Sequence, residues 1–158
     1  MKPKIVEIAP KKMIGIKMSM TLKNDKTSEL WREFMPRRRE IANRIDDNYY
    51  SIKTFDGSLK FDEFTGDTKM TKWAAVEVED YSGKIEGMEE FYLSGGKYAV
   101  FEHKGPASSF GEIFGYIFGV WLPGSEYTLD EREHFEILKE DYNPHDPNAE
   151  EEIWIPIK

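Results

Sequence analysis

The sequence contains no cysteine. Its absence excludes disulfide bonds, metal sites built from thiolates, and cysteine nucleophiles. The chain also lacks a run of about 20 apolar residues, and its first residues lack the apolar stretch of a secretion signal. These absences predict a cytoplasmic protein with no membrane-spanning segment.

Positive charge is also scarce. The chain has 22 Lys and Arg against 30 Asp and Glu, a net charge of −8, and its basic cluster is limited to Arg37, Arg38 and Arg39. A surface of this sign repels phosphate backbones and attracts cations. We therefore expect no direct binding to nucleic acid and a preference for cationic small molecules.

Aromatic residues, in contrast, are abundant. They make up 14% of the 158 residues. Part of this aromatic surface fills a core, and part of it is available to line a pocket for a flat ligand. The length fits either one domain or two small repeated halves.

The hydrophobic periodicity predicts the order strand, helix, strand, strand in residues 1–82, and the same order again in residues 88–158. The predicted elements are a strand at residues 4–20 broken at Pro10, a helix at 30–45 kinked at Pro36, strands at 49–55 and 73–79, a strand at 96–103, a helix at 110–121, and strands at 134–138 and 153–157. Asp56-Gly57 predicts a turn, and residues 60–72 a polar loop. The fold class is α+β: one domain over residues 1–158, with duplicated units related by a pseudo-twofold axis, an antiparallel sheet, and a ligand cleft between the halves.

Glu136 lies in the middle of the strand His134–Leu138. Alternation places it on the opposite face from Phe135 and Ile137. Aligning the halves by element order makes Tyr50 its counterpart, and we expect both to face the cleft. The alternative is a solvent-facing strand residue. In a pocket, an unpaired carboxylate costs several kcal/mol, which a ligand cation would offset.

Tryptophans near this strand are candidates for stacking on a ligand. Trp121, at the end of the second helix, is the better candidate, Trp73 is the second, and both are also interpretable as core residues. Two further features describe the second helix. Gly111, Gly115 and Gly119 predict a close approach of another backbone segment or room for a ligand, and Ser109 with Glu112 matches a capping box.

The sequence predicts no metal site and no cofactor. His103, His134 and His145 have no metal-ligand spacing to acidic neighbours, and we find neither a nucleophile elbow nor a Ser/His/Asp order. Glu136 with Tyr50 or Tyr142 could serve as acid and base, but the presence of these residues alone is a weak signal for catalysis.

Four segments together resemble the GyrI-like small-molecule-binding family. They are residues 96–106 (GKYAVFEHKGP), 121–127 (WLPGSEY), Phe135-Glu136, and 152–158 (EIWIPIK). The first-half segments Leu30-Trp31 and Tyr49-Tyr50 fit as well, so the resemblance covers nearly the whole chain. The family includes effector-binding domains of AraC-type and MerR-type multidrug regulators.

The resemblance implies a hydrophobic cleft in which an acid at the Phe-Glu motif, here Glu136, meets cationic ligands. Our leading hypothesis is a stand-alone protein that binds a lipophilic, cationic small molecule through Glu136, Tyr50, Trp121 and Trp73. Some relatives hydrolyse cyclopropane-containing genotoxins, and one inhibits DNA gyrase. The alternatives are therefore a hydrolase using Glu136 with a tyrosine, or a module that binds a protein partner such as gyrase. The oligomeric state, the ligand and the role of residues 58–72 stay open.

Overall fold

The structure is a computed structural model that describes residues 2–55, 63–83 and 85–158. The predicted Asp56-Gly57 turn and the first part of the polar loop lie outside the described residues. The elements in chain order are β1 (Lys4–Ile8), β2 (Lys11–Met20), α1 (Thr27–Phe34), a 3-10 helix (Met35–Glu40), β3 (Tyr49–Phe55), β4 (Met70–Glu77), β5 (Glu89–Leu93), β6 (Gly96–Lys104), a 3-10 turn (Ala107–Ser109), α2 (Phe110–Tyr116), a π-helical segment (Ile117–Trp121), α3 (Leu122–Gly124), β7 (His134–Leu138) and β8 (Glu150–Pro156).

In the described part of the chain, eight strands form one antiparallel sheet in the order β1-β6-β8-β7-β3-β4-β2-β5. The predicted α+β class is confirmed. On one side of the β7–β3 pair lie β8 and β6, and on the other side β4 and β2. Each edge strand pairs with a strand of the other half of the chain: β1 pairs with β6, and β5 pairs with β2. This is the element order that a duplication would produce; the duplication and its symmetry stay predictions.

Three hydrophobic clusters hold the sheet and helices together. One joins α1 to the first-half strands through Leu30 and Phe34, and one joins α2 to the second-half strands through Ile113 and Ile117. The third occupies the opposite face of the sheet. There, side chains of β1 and β5 from the two edges join those of the central strands, so the sheet is curled. Both helices therefore cover the same face, which we call the helix-bearing face.

Proline and strand chemistry explain several boundaries. Pro10 separates β1 from β2, and Pro36 stands at the start of the 3-10 helix where the regular α-helix ends, because proline removes a backbone N–H. The sequence predicted a helix that extends to Ile45, and this boundary is wrong. The helical segment ends at Glu40, and Ile45 is 52% exposed. Pro156 is the last residue of β8, as expected for a strand end.

Three further expectations were wrong or incomplete. The edge strand β5 was not predicted, because its first residues, Glu89 and Glu90, are exposed and acidic. Ser109 does not cap α2 with its side chain. The glycines of the second helix face open space: a Cβ added at Gly111, Gly115 or Gly119 would meet nothing within 4 Å. The predicted close approach of another backbone segment is therefore wrong, and room for a ligand stays a prediction.

Candidate functional site

Strand register places Glu136 on the helix-bearing face of the sheet. Glu136 lies opposite Ser51 of β3 and opposite Ile153 of β8. Directly opposed residues of an antiparallel pair point to the same face. Ile153 packs in the α2 cluster, so Glu136 points the same way, and it is buried at 6% exposure. The interpretation of Glu136 as a solvent-facing residue is therefore wrong.

The Glu136 carboxylate has one paired and one unpaired oxygen. Lys53 Nζ of β3 lies 3.5 Å from Oε1. The other oxygen, Oε2, is buried and has no hydrogen-bond partner among the described residues. A buried acceptor without a donor costs about 1–3 kcal/mol. This oxygen is thus available to a donor or a positive group supplied by a ligand.

The Lys53 ammonium connects this carboxylate to the second helix. It lies 4.5 Å from the centroid of the Phe114 ring, a cation–π distance. A second lysine of the same face, Lys72, donates from Nζ to Thr27 Oγ1 at 2.8 Å. Burial lowers the pKa of Lys72, and the positive charge of Lys53 lowers it further. The site therefore contains its own cations beside Glu136.

Two more ionisable groups surround the carboxylate. Burial, together with the charge of Lys53, lowers the pKa of His134 to about 3, so its ring is neutral at pH 7. Burial, together with the charge of Glu136, raises the pKa of Glu151 to about 8. Burial also raises the pKa of Tyr142, and the charges of Glu151 and Glu136 add to that shift. The negative charge of Glu136 therefore acts on the Tyr142 hydroxyl.

Aromatic rings from both helices flank these groups. On the α2 side, Phe114 stacks on Phe118 with centroids 6.4 Å apart, and Phe118 lies 6.2 Å from the His134 ring. On the α1 side, Trp31 packs edge-on against Tyr49 at 6.1 Å. The charged side chains of the helix-bearing face thus lie beside Phe114 and Phe118, with further aromatic rings where α1 packs, and such rings can give a flat lipophilic group apolar contact.

Tyr50 does not lie beside Glu136, contrary to expectation. It is opposite Ile137, so its side chain points to the other face of the sheet. Its ring lies 5.7 Å from that of Phe135, and its hydroxyl donates to Glu77 Oε1 at 3.4 Å. Burial and the charge of Glu77 raise its pKa. Ser51, one residue along the strand, is the residue opposite Glu136, and a step of one residue reverses the face.

The two tryptophans lie on opposite faces of the sheet. Trp73 shares the face of Tyr50, where its ring lies 4.8 Å from Phe91 and 5.5 Å from Lys17 Nζ. Trp121 is on the helix-bearing face, 5.2 Å from the Phe101 ring. Of the four predicted ligand-binding residues, the fold therefore brings Glu136 and Trp121 to one face and leaves Tyr50 and Trp73 on the other.

Sequence reasoning missed Lys53 as the partner of Glu136. The signal was present in the strand Tyr49–Phe55, where Ser51 and Lys53 alternate as polar residues on one face. When two neighbouring strands carry opposite charges, as β3 and β7 do at Lys53 and Glu136, a cross-strand ion pair is expected. The pairing of β3 with β7 was needed to use that signal.

Two surface pockets of about 190 Å³ lie apart from Glu136. One is at the sheet end near Phe55, Arg132 and His134, and the other is in the loop around Asp141 and Asp146. Within residues 2–55, 63–83 and 85–158, no group of His, Asp and Glu has a metal-binding arrangement. Among the helices of that same part of the chain, none has the length and apolar character needed to cross a membrane.

Comparison with known proteins gives one family and several relatives. A family model described as the GyrI-like small molecule binding domain matches residues 1–158. The transcriptional regulator BrlR of Pseudomonas aeruginosa is 30% identical over 159 aligned residues, which cover 99% of this chain and 56% of BrlR. The chain thus spans little more than half the length of that relative.

Two solved structures share the fold over the whole chain. SAV2435, solved bound to tetraphenylphosphonium, has a TM-score of 0.73 at 19% identity, covering 100% of this chain and 94% of its own. The EcmrR C-terminal domain has a TM-score of 0.73 at 16% identity, covering 99% of this chain and 97% of its own. Both matches show that the fold seen in the described residues is one that solved structures share.

Proposed function

The chain belongs to the family of GyrI-like small molecule binding domains, and we propose that it binds a lipophilic organic cation between its two helices, with Glu136 as the charge partner. The ligand would lie on the helix-bearing face. The observation that carries this proposal is the buried carboxylate itself, because Glu136 Oε2 has no partner among the described residues and Oε1 has one at 3.5 Å.

The ligand takes the place of Lys53 in this proposal. The Lys53 side chain is 18% exposed, so its ammonium can turn toward water when another cation approaches Glu136. The arriving cation then occupies the position over the Phe114 ring, and Phe118 and Trp31 supply apolar contact. Burial of apolar ligand surface contributes about 25 cal/mol per Å². Trp121, further along the second helix, is an outer wall in this arrangement.

The relatives support the ligand class. SAV2435 was solved with tetraphenylphosphonium, a lipophilic cation, and its fold matches this chain from end to end. BrlR is a transcriptional regulator in which the matching segment is 56% of the protein. We propose that the present chain is a ligand-binding module of the same kind, acting in the cytoplasm. A role of this chain in transcription is likewise a proposal.

Calorimetric titration with tetraphenylphosphonium tests the electrostatic part. Glu136→Gln should weaken binding by about 10- to 100-fold, in line with a lost charge pair of about 1.4–2.8 kcal/mol. Glu102→Gln is the matched control, because Glu102 is exposed, lies opposite Glu152 and changes the net charge equally. Neutral triphenylphosphine oxide should bind both variants equally. Full tetraphenylphosphonium affinity in Glu136→Gln would refute the role of Glu136.

Tyr50→Phe and Trp73→Phe give a second comparison. Both side chains lie on the face away from Glu136, so we expect each variant to keep its affinity for the cation. A loss in either variant that exceeds its loss of stability would place the ligand on the other face. The predicted roles of these residues as ligand contacts would then be revived.

The hydrolase hypothesis requires a different tyrosine from Tyr50. Glu136 and Tyr50 cannot act on one substrate from opposite faces, so Tyr142 takes the place of Tyr50. Opening of a cyclopropane ring should then stop in Glu136→Gln and in Tyr142→Phe but continue in Tyr50→Phe. Binding to gyrase stays a prediction that a supercoiling assay decides.

A further inference from the structure

Three side chains form a hydrogen-bonded chain at the start of α2. His103 of β6 has both ring nitrogens engaged: Nδ1 lies 3.2 Å from Glu151 Oε1, and Nε2 lies 2.8 Å from Ser109 Oγ. His103 and Glu151 are buried, whereas Ser109 is half-buried and reaches solvent. A hydroxyl, an imidazole and a carboxyl in this order are the parts of a serine nucleophile with its base and the group that orients the base.

The fold builds this arrangement from two independent features. The pairing of β6 with β8 sets His103 directly opposite Glu151. The chain then turns back through Gly105 and the 3-10 turn Ala107–Ser109, which returns Ser109 to the imidazole. This contact also explains why Ser109 fails to cap α2: its hydroxyl is engaged with His103 and with the carbonyl of Pro106.

Space beside the hydroxyl is kept free by a glycine. Gly105 has φ +142°, and a Cβ added there would lie 3.1 Å from Ser109 Oγ and 3.7 Å from His103 Nε2. The absence of a side chain at Gly105 therefore keeps the hydroxyl and the imidazole from being crowded. Ser109 is half-buried, so a small electrophile would reach its hydroxyl from the solvent-exposed side.

We propose that Ser109 is a nucleophile that accepts acyl groups from small activated esters, with His103 as its base and Glu151 as a positioning residue. Ser109 Oγ attacks the ester carbonyl while its proton passes to His103 Nε2. The bond to the leaving alcohol then breaks, and the alcohol oxygen takes that proton. Water hydrolyses the acyl-serine by the same route, with His103 returning the proton to Ser109.

The protonation of the three groups determines when the hydroxyl is activated. With Glu151 protonated, its O–H donates to His103 Nδ1, His103 Nε2–H donates to Ser109 Oγ, and Ser109 donates to the Pro106 carbonyl at 2.7 Å. The nucleophile is then idle. With Glu151 ionised, Nδ1–H donates to it, and Nε2 is free to take the Ser109 proton. Because burial raises the pKa of Glu151 to about 8, acylation should increase through that pH.

The charged and titratable neighbours of Glu151 come from each element around it. Glu136 of β7 raises the pKa of Glu151, and Lys53 of β3 lowers it. His103 of β6 is the hydrogen-bonded partner, and burial lowers its pKa. Tyr142 lies in the segment after β7, and the charge of Glu151 raises its pKa. Removing the Glu136 charge should therefore move the activation of Ser109 to lower pH.

The test uses the full chain with two reagents. A fluorophosphonate should label Ser109, located by peptide mass mapping, and p-nitrophenyl acetate should release a burst of about one equivalent of p-nitrophenolate, measured relative to Ser109→Ala. Both rates should rise about 10-fold between pH 7 and pH 8.5, following the ionised fraction of Glu151. Ser108 is the matched control, because it is exposed and adjacent, so Ser108→Ala should be labelled like the unaltered chain.

Two variants keep the proposal open to refutation even where one fails to fold. Glu151→Gln should remove the rise near pH 8 while circular dichroism shows a folded chain. His103→Gln, if folded, should lose labelling. Equal labelling of Ser108 and Ser109, no label on Ser109, or an unchanged pH profile in Glu151→Gln would each overturn the proposal. None of these results depends on binding of tetraphenylphosphonium.

Discussion

Replacing Lys53 with methionine should tighten the binding of a lipophilic cation. In the proposed binding mode, Lys53 and an incoming cation would compete for the same carboxylate, since Lys53 Nζ is 3.5 Å from Glu136 Oε1 and 4.5 Å from the Phe114 ring centroid. Methionine keeps most of the length and the apolar stem of lysine but carries no charge. The variant therefore removes the competitor and leaves the aromatic wall in place.

The size of the effect follows from the burial of the pair. At 3.5 Å and an effective dielectric constant of about 20, the gross attraction is about 4–5 kcal/mol. Exposed pairs are worth about 0.2–1 kcal/mol net, and breaking a buried pair costs about 3–5 kcal/mol. With side-chain exposures of 18% for Lys53 and 8% for Glu136, we expect about 1.5–3 kcal/mol, a 10- to 100-fold gain in affinity.

Calorimetry with tetraphenylphosphonium measures the affinity, and urea unfolding measures the cost to the free protein. Lys53→Met should lose about 1.5–3 kcal/mol of unfolding free energy without ligand, because Glu136 is left unpaired, and saturating ligand should restore it. Lys17→Met is the matched control. Lys17 also has a carboxylate partner, Glu89 at 3.4 Å, and an aromatic ring, Trp73 at 5.5 Å, but on the opposite face.

Weaker or unchanged cation binding in a folded Lys53→Met variant would mean that the ligand does not replace Lys53 at Glu136. An equal gain in Lys17→Met would mean that only the net charge of the protein matters.

The other predictions concern stability. Burial lowers the pKa of His134 to about 3 and raises that of Glu151 to about 8. Because His134 is held neutral, it lowers the free energy of unfolding of the protein by about 1.4 kcal/mol for each pH unit below about 6.5. Because Glu151 is held protonated, it lowers the same free energy by about 1.4 kcal/mol for each pH unit above about 4.5. Urea unfolding should show that the two effects cancel between about pH 4.5 and 6.5. In His134→Phe only the Glu151 effect is left, so the free energy of unfolding of the variant should rise by about 2.7 kcal/mol as the pH drops from about 6.5 to about 4.5. A free energy of unfolding that does not change with pH in the variant would contradict the assignment. Gly15→Ala should cost about 3 kcal/mol or more, since its Cβ would meet the Ala74 carbonyl oxygen. Gly115→Ala, with open space around it, should gain about 0.5–1 kcal/mol, and a loss there would show an unseen contact.

Local patterns were enough to predict most of the fold. Alternation located β3 and β7 to the residue, and Pro10 and Pro36 marked the breaks, because each of these signals acts within a few residues. The edge strand β5 escaped because Glu89 and Glu90 give it no apolar alternation. The exchange of β1 and β5 between halves could not be predicted, since it depends on contacts between residues far apart in the chain.

The site was predictable only as far as its central acid. Alternation put Glu136 and Phe135 on opposite faces, but the partner strand needed a register that no local signal supplies. Tyr50 was expected to face the cleft with Glu136, but it is one residue away from Ser51, the residue opposite Glu136, and therefore lies on the other face of the sheet. The cluster around His103 was missed for the same reason, because Glu151 stands opposite it only through the pairing of β6 with β8.

The pairing of Glu136 with Lys53 also argues for which cations the site selects. A small, strongly hydrated cation gains at Glu136 no more than Lys53 already provides, and it must also be desolvated, so it does not displace the lysine. A lipophilic cation with a spread charge has less hydration to lose, and it adds apolar burial against Phe114 and Phe118. In the proposed binding mode, Lys53 would thus exclude ligands that offer charge alone. Tetramethylammonium should fail to compete with tetraphenylphosphonium in the unaltered chain, and it should gain measurable binding in Lys53→Met.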